Sequence, residues 1–328
     1  MGTFNEPWAI ALLPGTPYAL ITEKSGKLKL WQAAGPVVDV AGVPAVAYGG
    51  QGGLGDVKAV QNADGAWTVY LTWAEAGAGD TRGAAAGRAR LVLGDAPRLE
   101  GLDIFWRQQP KVTGKGHYSH RLAFAHAPDQ LYIASGDRQK MIPAQDPASD
   151  LGKILRFDIA ADGKLTRVPG YVSIGHRNIL GMKFDAIGRL WDLEHGPAGG
   201  DELNLVKQGQ NYGWPQVSYG NHYSGQSIPR HPTRPEFAAP AIYWNPVIAP
   251  GDFIFYSGKM WPEWKGQTLI AALGTGGLVR VKIDGEKATE EARYPLGNRI
   301  RAITEAPDGS LYLLEDGESG RLLRLSRK

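Results

Sequence analysis

Residues 175–214 read GHRNILGMKFDAIGRLWDLEHGPAGGDELNLVKQGQNYGW, and their spacing decides the fold. Two short apolar runs, 182–184 and 189–193, flank a turn at 185–188, which is the pattern of a β-hairpin. Apolar alternation stops at EHGPAGGDE, so 194–201 is expected to be a loop at a strand end, with the chain returning along 202–206. Loops carried on a rigid sheet are where binding groups usually sit.

The same grammar recurs along the chain. Paired runs occur at 9–13 and 19–22, 55–60 and 67–73, 122–125 and 131–134, 253–256 and 268–272, and 301–304 and 311–314. Most pairs enclose a short turn rich in Gly, Pro or Asp. A third strand, often of the form G-x-φ-x-φ, follows at 26–30, 88–93, 152–157, 277–283 and 320–325. Helical periodicity is nowhere sustained; its nearest case, 74–91, is cut by glycines. Six such units predict an all-β chain, a six-bladed β-propeller of four-stranded antiparallel blades forming one domain over 1–328. Insertions are expected at 99–116, 139–151 and 211–244, because the units run longer than a minimal blade. An irregular pair of β-sandwiches is the competing architecture.

Composition narrows the function classes. The formal net charge of +3 over 328 residues argues against a general nucleic-acid surface. No run is long and apolar enough to span a membrane, and MGTFNEPWAIALLPG lacks the basic and apolar regions of a signal peptide. With no cysteine there is no disulfide, thiolate or Cys-ligated zinc chemistry, although this does not fix the compartment.

Propeller closure brings turns from different blades to one axis, so residues far apart in sequence can share a pocket. Gln51, His117, Arg177, Gly196 and Arg301 each lie near a strand end of a different segment or half-segment. His117 suits proton exchange near neutral pH, against a packing role. His120 and His126 read as structural, since a zinc site would lack a third ligand at recognisable spacing. Asp137 follows a strand and could hold an imidazole tautomer, or simply end a turn. Arg177-Asn178 offers a planar donor fork beside an amide, suited to a carboxylate or quinone oxygen or to an internal salt bridge. Arg299 and Arg301 alternate, so on a strand both face one side and call for an anion between them, unless they mark a solvated edge. Gly196-Pro197 offers backbone carbonyls of the kind calcium accepts, or a plain turn. Gln51, among glycines, could meet a sugar hydroxyl.

GHRN, EHGPAGGDELN and NYGWP, with QGGLGDV, HYSHRLAF, GDR, DLGKILR and NRIRAI in order, resemble the glucose/sorbosone dehydrogenase family, in its aldose sugar dehydrogenase branch. These are soluble quinoproteins that use pyrroloquinoline quinone (PQQ). The resemblance covers nearly the whole chain and implies a six-bladed propeller that oxidises the anomeric hydroxyl of aldoses to lactones. It implies that His117 is the general base, oriented by Asp137, while hydride passes to the quinone C5. Arg177, Asn178, Arg299 and Arg301 would hold PQQ, and the Gly196 and Pro197 carbonyls its calcium. Calcium and Arg177 would stabilise charge on the C5 oxygen. Glu202, and Tyr212 through its backbone oxygen, match a second, structural calcium site. The partners implied are an aldose and an unidentified electron acceptor, in a periplasmic or secreted setting.

The sequence departs from the family twice. An acid usually precedes the catalytic histidine, where this chain has Gly116, and the blade-five lysine is missing from AALGTGGL at 271–278. The first departure implies a looser sugar site, and the second leaves more of the cofactor's charge to Arg299 and Arg301. Two rivals remain at this level. One is a calcium-dependent propeller lactonase, which would need side-chain carboxylates and amides on the metal. The other is a non-catalytic propeller binding protein.

Overall fold

Leu269 and Ala271 pack into one apolar cluster, while Ile270 and Ala272 pack into another. Neighbouring strand residues face opposite sides of their sheet, so both sides of this sheet are buried. The same division separates Val69 and Leu71 from Tyr70, and Leu313 from Leu314. Sheets that are each sandwiched between two others close most simply as a ring. In the computed structural model, which describes residues 2–327, six mainly antiparallel sheets follow in chain order around an axis. Apolar clusters fill the gaps between neighbouring blades. The six-bladed propeller expected from the sequence is the fold.

The opening stretch forms blade four, with strands Ile179–Phe184, Leu190–Glu194, Asp201–Leu205 and Ile242–Trp244. The loop between Glu194 and Asp201 lies where apolar alternation stops. Blade six takes its outer strand from the other end of the chain, since Thr3–Phe4 pairs with Gly320–Leu325. Two blades carry additions: Val112–Thr113 extends blade two, and blade three includes a parallel pair, Ser173–Ile174 with Gln210–Asn211.

One expected insertion is corrected. The first half of 99–116 is not an insertion but the outer strand of blade two, Arg98–Arg107, paired with Thr81–Val92. An outer strand is half solvated, so few of its positions demand apolar residues; here Leu99 and Trp106 are the buried ones. Its neighbour begins seven residues earlier than the run at 88–93 suggested, because TRGAAAGRAR is strand. Small residues are required there: a Cβ at Gly87 would lie 3.0 Å from the Trp73 ring and 3.0 Å from the Asp103 carbonyl.

The innermost strand of every blade carries a register shift near its start. The shifts fall at Trp8, Gly55–Asp56, His120–Arg121, Leu180, Gly251 and Arg301. A bulge frees backbone groups from the ladder and re-aims side chains. Threonines of the second strands collect some of these groups: Thr22 Oγ1 donates to Gly55 O at 2.7 Å, and Thr72 Oγ1 to His120 O at 2.8 Å. Arg121 collects the others. It is 1% exposed and crosses the axis, donating to Leu180 O at 2.5 Å and Gly251 O at 2.7 Å. Its guanidinium also meets Asp56 at 3.4 Å and Asp252 at 3.8 Å, and lies 3.8 Å from the centre of the Trp8 ring. One side chain of blade three therefore touches blades one, two, four and five.

Arg121→Met is expected to lower stability by about 3–5 kcal/mol, because it strands two buried carboxylates and two carbonyls. Denaturant unfolding checks this, and a loss within experimental error would remove Arg121 from its central place.

Candidate active site

Two loops of blade three build the catalytic candidate. His117 adopts φ +47°, and of the eight non-glycine residues with positive φ among the described residues, six lie here: His117, Ser119, His120, Arg138, Gln139 and Met141. Such strain persists only where surrounding contacts over-determine it. Arg138 supplies them from below, donating to Gly116 O at 2.8 Å, Arg82 O at 2.6 Å and Gly114 O at 2.6 Å. Gly136 is needed opposite, since a Cβ there would lie 2.1 Å from His117 O.

The His117 ring is held by Asp137, with Nδ1 to Oδ1 at 2.7 Å. Asp137 is fully buried and also accepts from Gln139 N at 2.9 Å, Met141 N at 3.3 Å and Trp214 Nε1 at 2.7 Å. A carboxylate so fixed sets the tautomer, leaving Nε2 as the acceptor. Burial pushes the His117 pKa below its usual value of 6.5, and the nearby Arg177 charge adds to this against the pull of Asp137. The ring is therefore neutral, and able to take a proton, around pH 7.

Gln51 accepts the His117 backbone N–H at 2.7 Å, so its carboxamide oxygen positions the base as well as facing the chamber. That upper chamber has a volume of about 290 Å³ and is lined by Gln51, Ser119, Asn178, Arg299 and Arg301, with Lys24 from blade one. Arg299 and Arg301 do share an anion, although Arg299 precedes the strand Ile300–Glu305 and the register shifts at Arg301. That anion is Asp316, which accepts from each Nε at 2.9 Å. Arg301 is the recessed member, with 13% of its side chain exposed against 56% for Arg299. Lys24 pairs with Glu6 at 2.7 Å.

Arg177, Gly196, Pro197, Glu202 and Tyr212 line a second, narrow cavity beside the first, and His195 borders both. Its volume of about 10 Å³ holds roughly one water-sized group. Arg177 donates to His195 O at 3.1 Å and Tyr223 Oη at 3.2 Å, but its buried Nε has no partner among the described residues. Gly196 is fixed through its N–H, which Asp201 Oδ1 accepts at 2.9 Å; its carbonyl and that of Pro197 accept no hydrogen bond among the described residues. The Tyr212 hydroxyl is committed to Leu205 O at 2.5 Å and Lys207 N at 3.0 Å, which leaves only its backbone oxygen for a metal. Carboxylates are in excess behind this cavity. His176 Nδ1 lies 3.1 Å from Glu194 and 3.6 Å from Asp192, and is the cation they share. Asp192 Oδ2, Asn204 Oδ1 and both ring nitrogens of His231 have no hydrogen-bond partner among the described residues. Burial drives Glu202 well above the ordinary carboxylate range and Asp201 to about 6.

Of the predicted residues, Gln51, Asn178, Arg299 and Arg301 line the upper chamber and Arg177, Gly196, Pro197, Glu202 and Tyr212 the narrow cavity, while His117 and Asp137 line neither and reach the chamber wall through Gln51 and the narrow cavity through Trp214. Trp214, Tyr223, Asp316 and Lys24 belong to the same constellation but were not assigned from sequence. Trp214 and Tyr223 had one available signal, aromatic residues following a glycine-rich loop. Gln139 was missed too: its carboxamide lies 2.5–2.8 Å from where a Cβ at Gly116 would be, filling the space of the missing acid.

The family profile described as Glucose / Sorbosone dehydrogenase matches residues 4–324. Aldose sugar dehydrogenase YliI of Escherichia coli is 35% identical over 98% of this chain and 90% of its own length. The crystal structure of the soluble aldose sugar dehydrogenase from Escherichia coli in the apo-form has a TM-score of 0.90 at 34% identity, covering 100% of this chain and 98% of that one. The PQQ-bound form of aldose sugar dehydrogenase from Streptomyces coelicolor gives a TM-score of 0.79 at 26% identity, covering 99% and 95%.

The dyad has a direct test by histidine NMR. His117 is expected to titrate below 6.5, and Asp137→Asn to lower its pKa further, because Asp137 is what raises it. An upward shift in the variant would mean that Asp137 does not stabilise the imidazolium.

Proposed function

The chain belongs to the glucose/sorbosone dehydrogenase family, and from that premise we propose that it oxidises the anomeric hydroxyl of aldose sugars to lactones, with PQQ and calcium at the two adjoining cavities. The observation that carries this reading is the His117–Asp137 pair set beside Arg177, within one ring that also presents Arg299 and Arg301.

The residues present fit both groups. An anionic cofactor finds an unpartnered Arg177 Nε and three cations on the chamber wall. Asp316 opposes it in part, while Lys24 brings a charge from blade one that offsets the lysine missing from blade five. A calcium ion finds two uncapped carbonyls at Gly196 and Pro197, with the Glu202 carboxylate and the Tyr212 carbonyl lining the same cavity. Oxygen donors of this kind suit a hard cation.

PQQ, when bound, supplies the two-electron acceptor. The chain's own part is proton handling and orientation. His117 Nε2 takes the hydroxyl proton, and Asp137 stabilises the imidazolium formed. Gln51 fixes the backbone beneath the ring. Arg177, pinned by His195 and Tyr223, keeps donors aimed where negative charge develops. Gln139, rather than an acid at position 116, occupies the space beside Gly116, consistent with a looser sugar site. A lactonase would need several side-chain carboxylates and amides on the metal, whereas Glu194 is taken up by His176 and the Arg177 N–H, and Glu202 alone stands beside the backbone carbonyls.

His117→Ala is expected to keep PQQ binding and to lose about a hundredfold to ten-thousandfold in turnover, as removal of a general base does. Near-normal steady-state rates in the PQQ-loaded variant would assign the proton to another group. Arg301→Ala is expected to raise the PQQ dissociation constant by about tenfold to a hundredfold, the usual effect of one lost charge-assisted contact. Quinone absorbance during titration of the apo-protein in calcium buffer reads this without turnover, and an unchanged midpoint would reduce the arginines to a strand edge held by Asp316. Thr275→Lys is the rescue to pair with it. Gly274 is unsuitable, since a Cβ there would lie 2.8 Å from Ile248 O.

A further inference from the structure

Beyond Arg121 the axial channel opens again on the opposite side. This lower chamber, about 820 Å³, takes a wall residue from the innermost strand of every blade: Ile10, Lys58, Phe124, Lys183, Ile254 and Thr304. It shares no lining residue with the upper chamber.

Five charges cross between the two. Lys58 lies 3.4 Å from Asp56, Asp56 3.4 Å from Arg121, Arg121 3.8 Å from Asp252, and Asp252 3.3 Å from Lys183. The row alternates in sign, begins and ends on a lysine, and so carries one net positive charge. Arg121 and Asp56 are buried and line neither chamber, while Asp252, 5% exposed, borders the lower one with its charge shared between Arg121 and Lys183. The two ends of the row are more open: the Lys58 and Lys183 side chains are each 24% exposed, in the wall of the chamber. Each lysine shares its carboxylate with Arg121. Neither ammonium donates a hydrogen bond to any described residue, so its donors remain for a ligand. The charges at the mouth balance one another. Arg324 pairs with Asp308, while Lys259 donates to Pro307 O at 3.0 Å and Glu305 accepts from Ser257 N at 2.9 Å.

We propose that this lower chamber is an oxyanion site, in which a small phosphate or carboxylate group sits between Lys58 and Lys183. One bound anion turns the open row into a closed ring of alternating charge and ties blade two to blade four on the face opposite the sugar site. Burial, with the like charge of Lys183, holds Lys58 down to about 8 despite Asp56, and Asp252 and Arg121 are the other charges it faces. An anion reverses this, so binding is strong below that pH and fades as Lys58 loses its proton above it.

Calorimetric titration of the full chain with inorganic phosphate, in chloride buffer at fixed ionic strength, is the test. One saturable site is expected. Lys58→Met and Lys183→Met should each weaken it by about tenfold or more, the usual loss of a charge-assisted contact, while Lys58→Arg retains binding. Arg301→Ala, in the upper chamber, should leave it unchanged, which separates this site from the sugar site and from any failure of the dehydrogenase reading. Sulfate, whose charge is constant over the range, should bind progressively more weakly above pH about 8. Tighter binding of phosphate than of acetate identifies a phosphate ligand, and the reverse a carboxylate. Three outcomes overturn the proposal: no saturable binding at millimolar phosphate, wild-type affinity in both folded Met variants, or loss of the site in Arg301→Ala.

Discussion

A single guanidinium spanning the axis reconciles two demands of a closed ring of sheets. The innermost strands must converge, yet each is bulged near its start and releases backbone groups where no water can satisfy them. Arg121 answers with a planar fork that donates in several directions at once. A lysine ammonium could not do the same, since its three donors diverge from one atom and would not span the carbonyls of two blades. The bulges themselves are not defects. They turn Arg301 towards the upper chamber and set the Leu180 and Gly251 carbonyls facing inward, so the shape of the site and the closure of the ring come from the same device.

Above that crossing the backbone is strained, and the strain is concentrated in the two segments that present His117 and Asp137. What over-determines them is backbone capture more than side-chain packing. Arg138 takes three carbonyls, Asp137 takes two N–H groups, and Gln51 takes the N–H of His117 itself. The imidazole is thereby fixed at both ends, through its ring and through its main chain. A base held in this way needs little reorganisation when it accepts a proton.

The sequence was most legible where local rules act alone. Turn spacing and short apolar runs counted six blades correctly, because each hairpin is a local event. Legibility failed at the outer strand Arg98–Arg107, which is half solvated, and at TRGAAAGRAR, whose small residues are chosen by the Trp73 ring of the neighbouring strand. The site shows the same boundary. The motifs singled out His117, Asp137, Arg177 and the two arginines of blade six, and the spacing of Arg299 and Arg301 called for an anion between them or else a solvated edge. It did not identify Asp316, which follows the next strand and reaches both only after the hairpin forms. Lys24 and Gln139 were invisible for a stronger form of that reason: ring closure and a long loop deliver them, and no spacing rule relates them to His117.

Charge along the axis follows from which cations are already committed. Arg121 is the nearest positive charge beneath the upper chamber, but Asp56 and Asp252 flank it and two carbonyls occupy its donors. The imidazoles bordering that chamber add nothing, because burial holds His120 and His195 to about 3 and both are neutral. An anionic cofactor therefore meets a base without net attraction, and its binding must come from the side walls. In the reading proposed above those walls carry Arg299, Arg301 and Lys24, with Arg177 next to them, against Glu6 and Asp316. The wall excess is small enough that each cation matters. For the same reason, a lysine lost from blade five is tolerable only if another blade provides one, and Lys24 stands where it can.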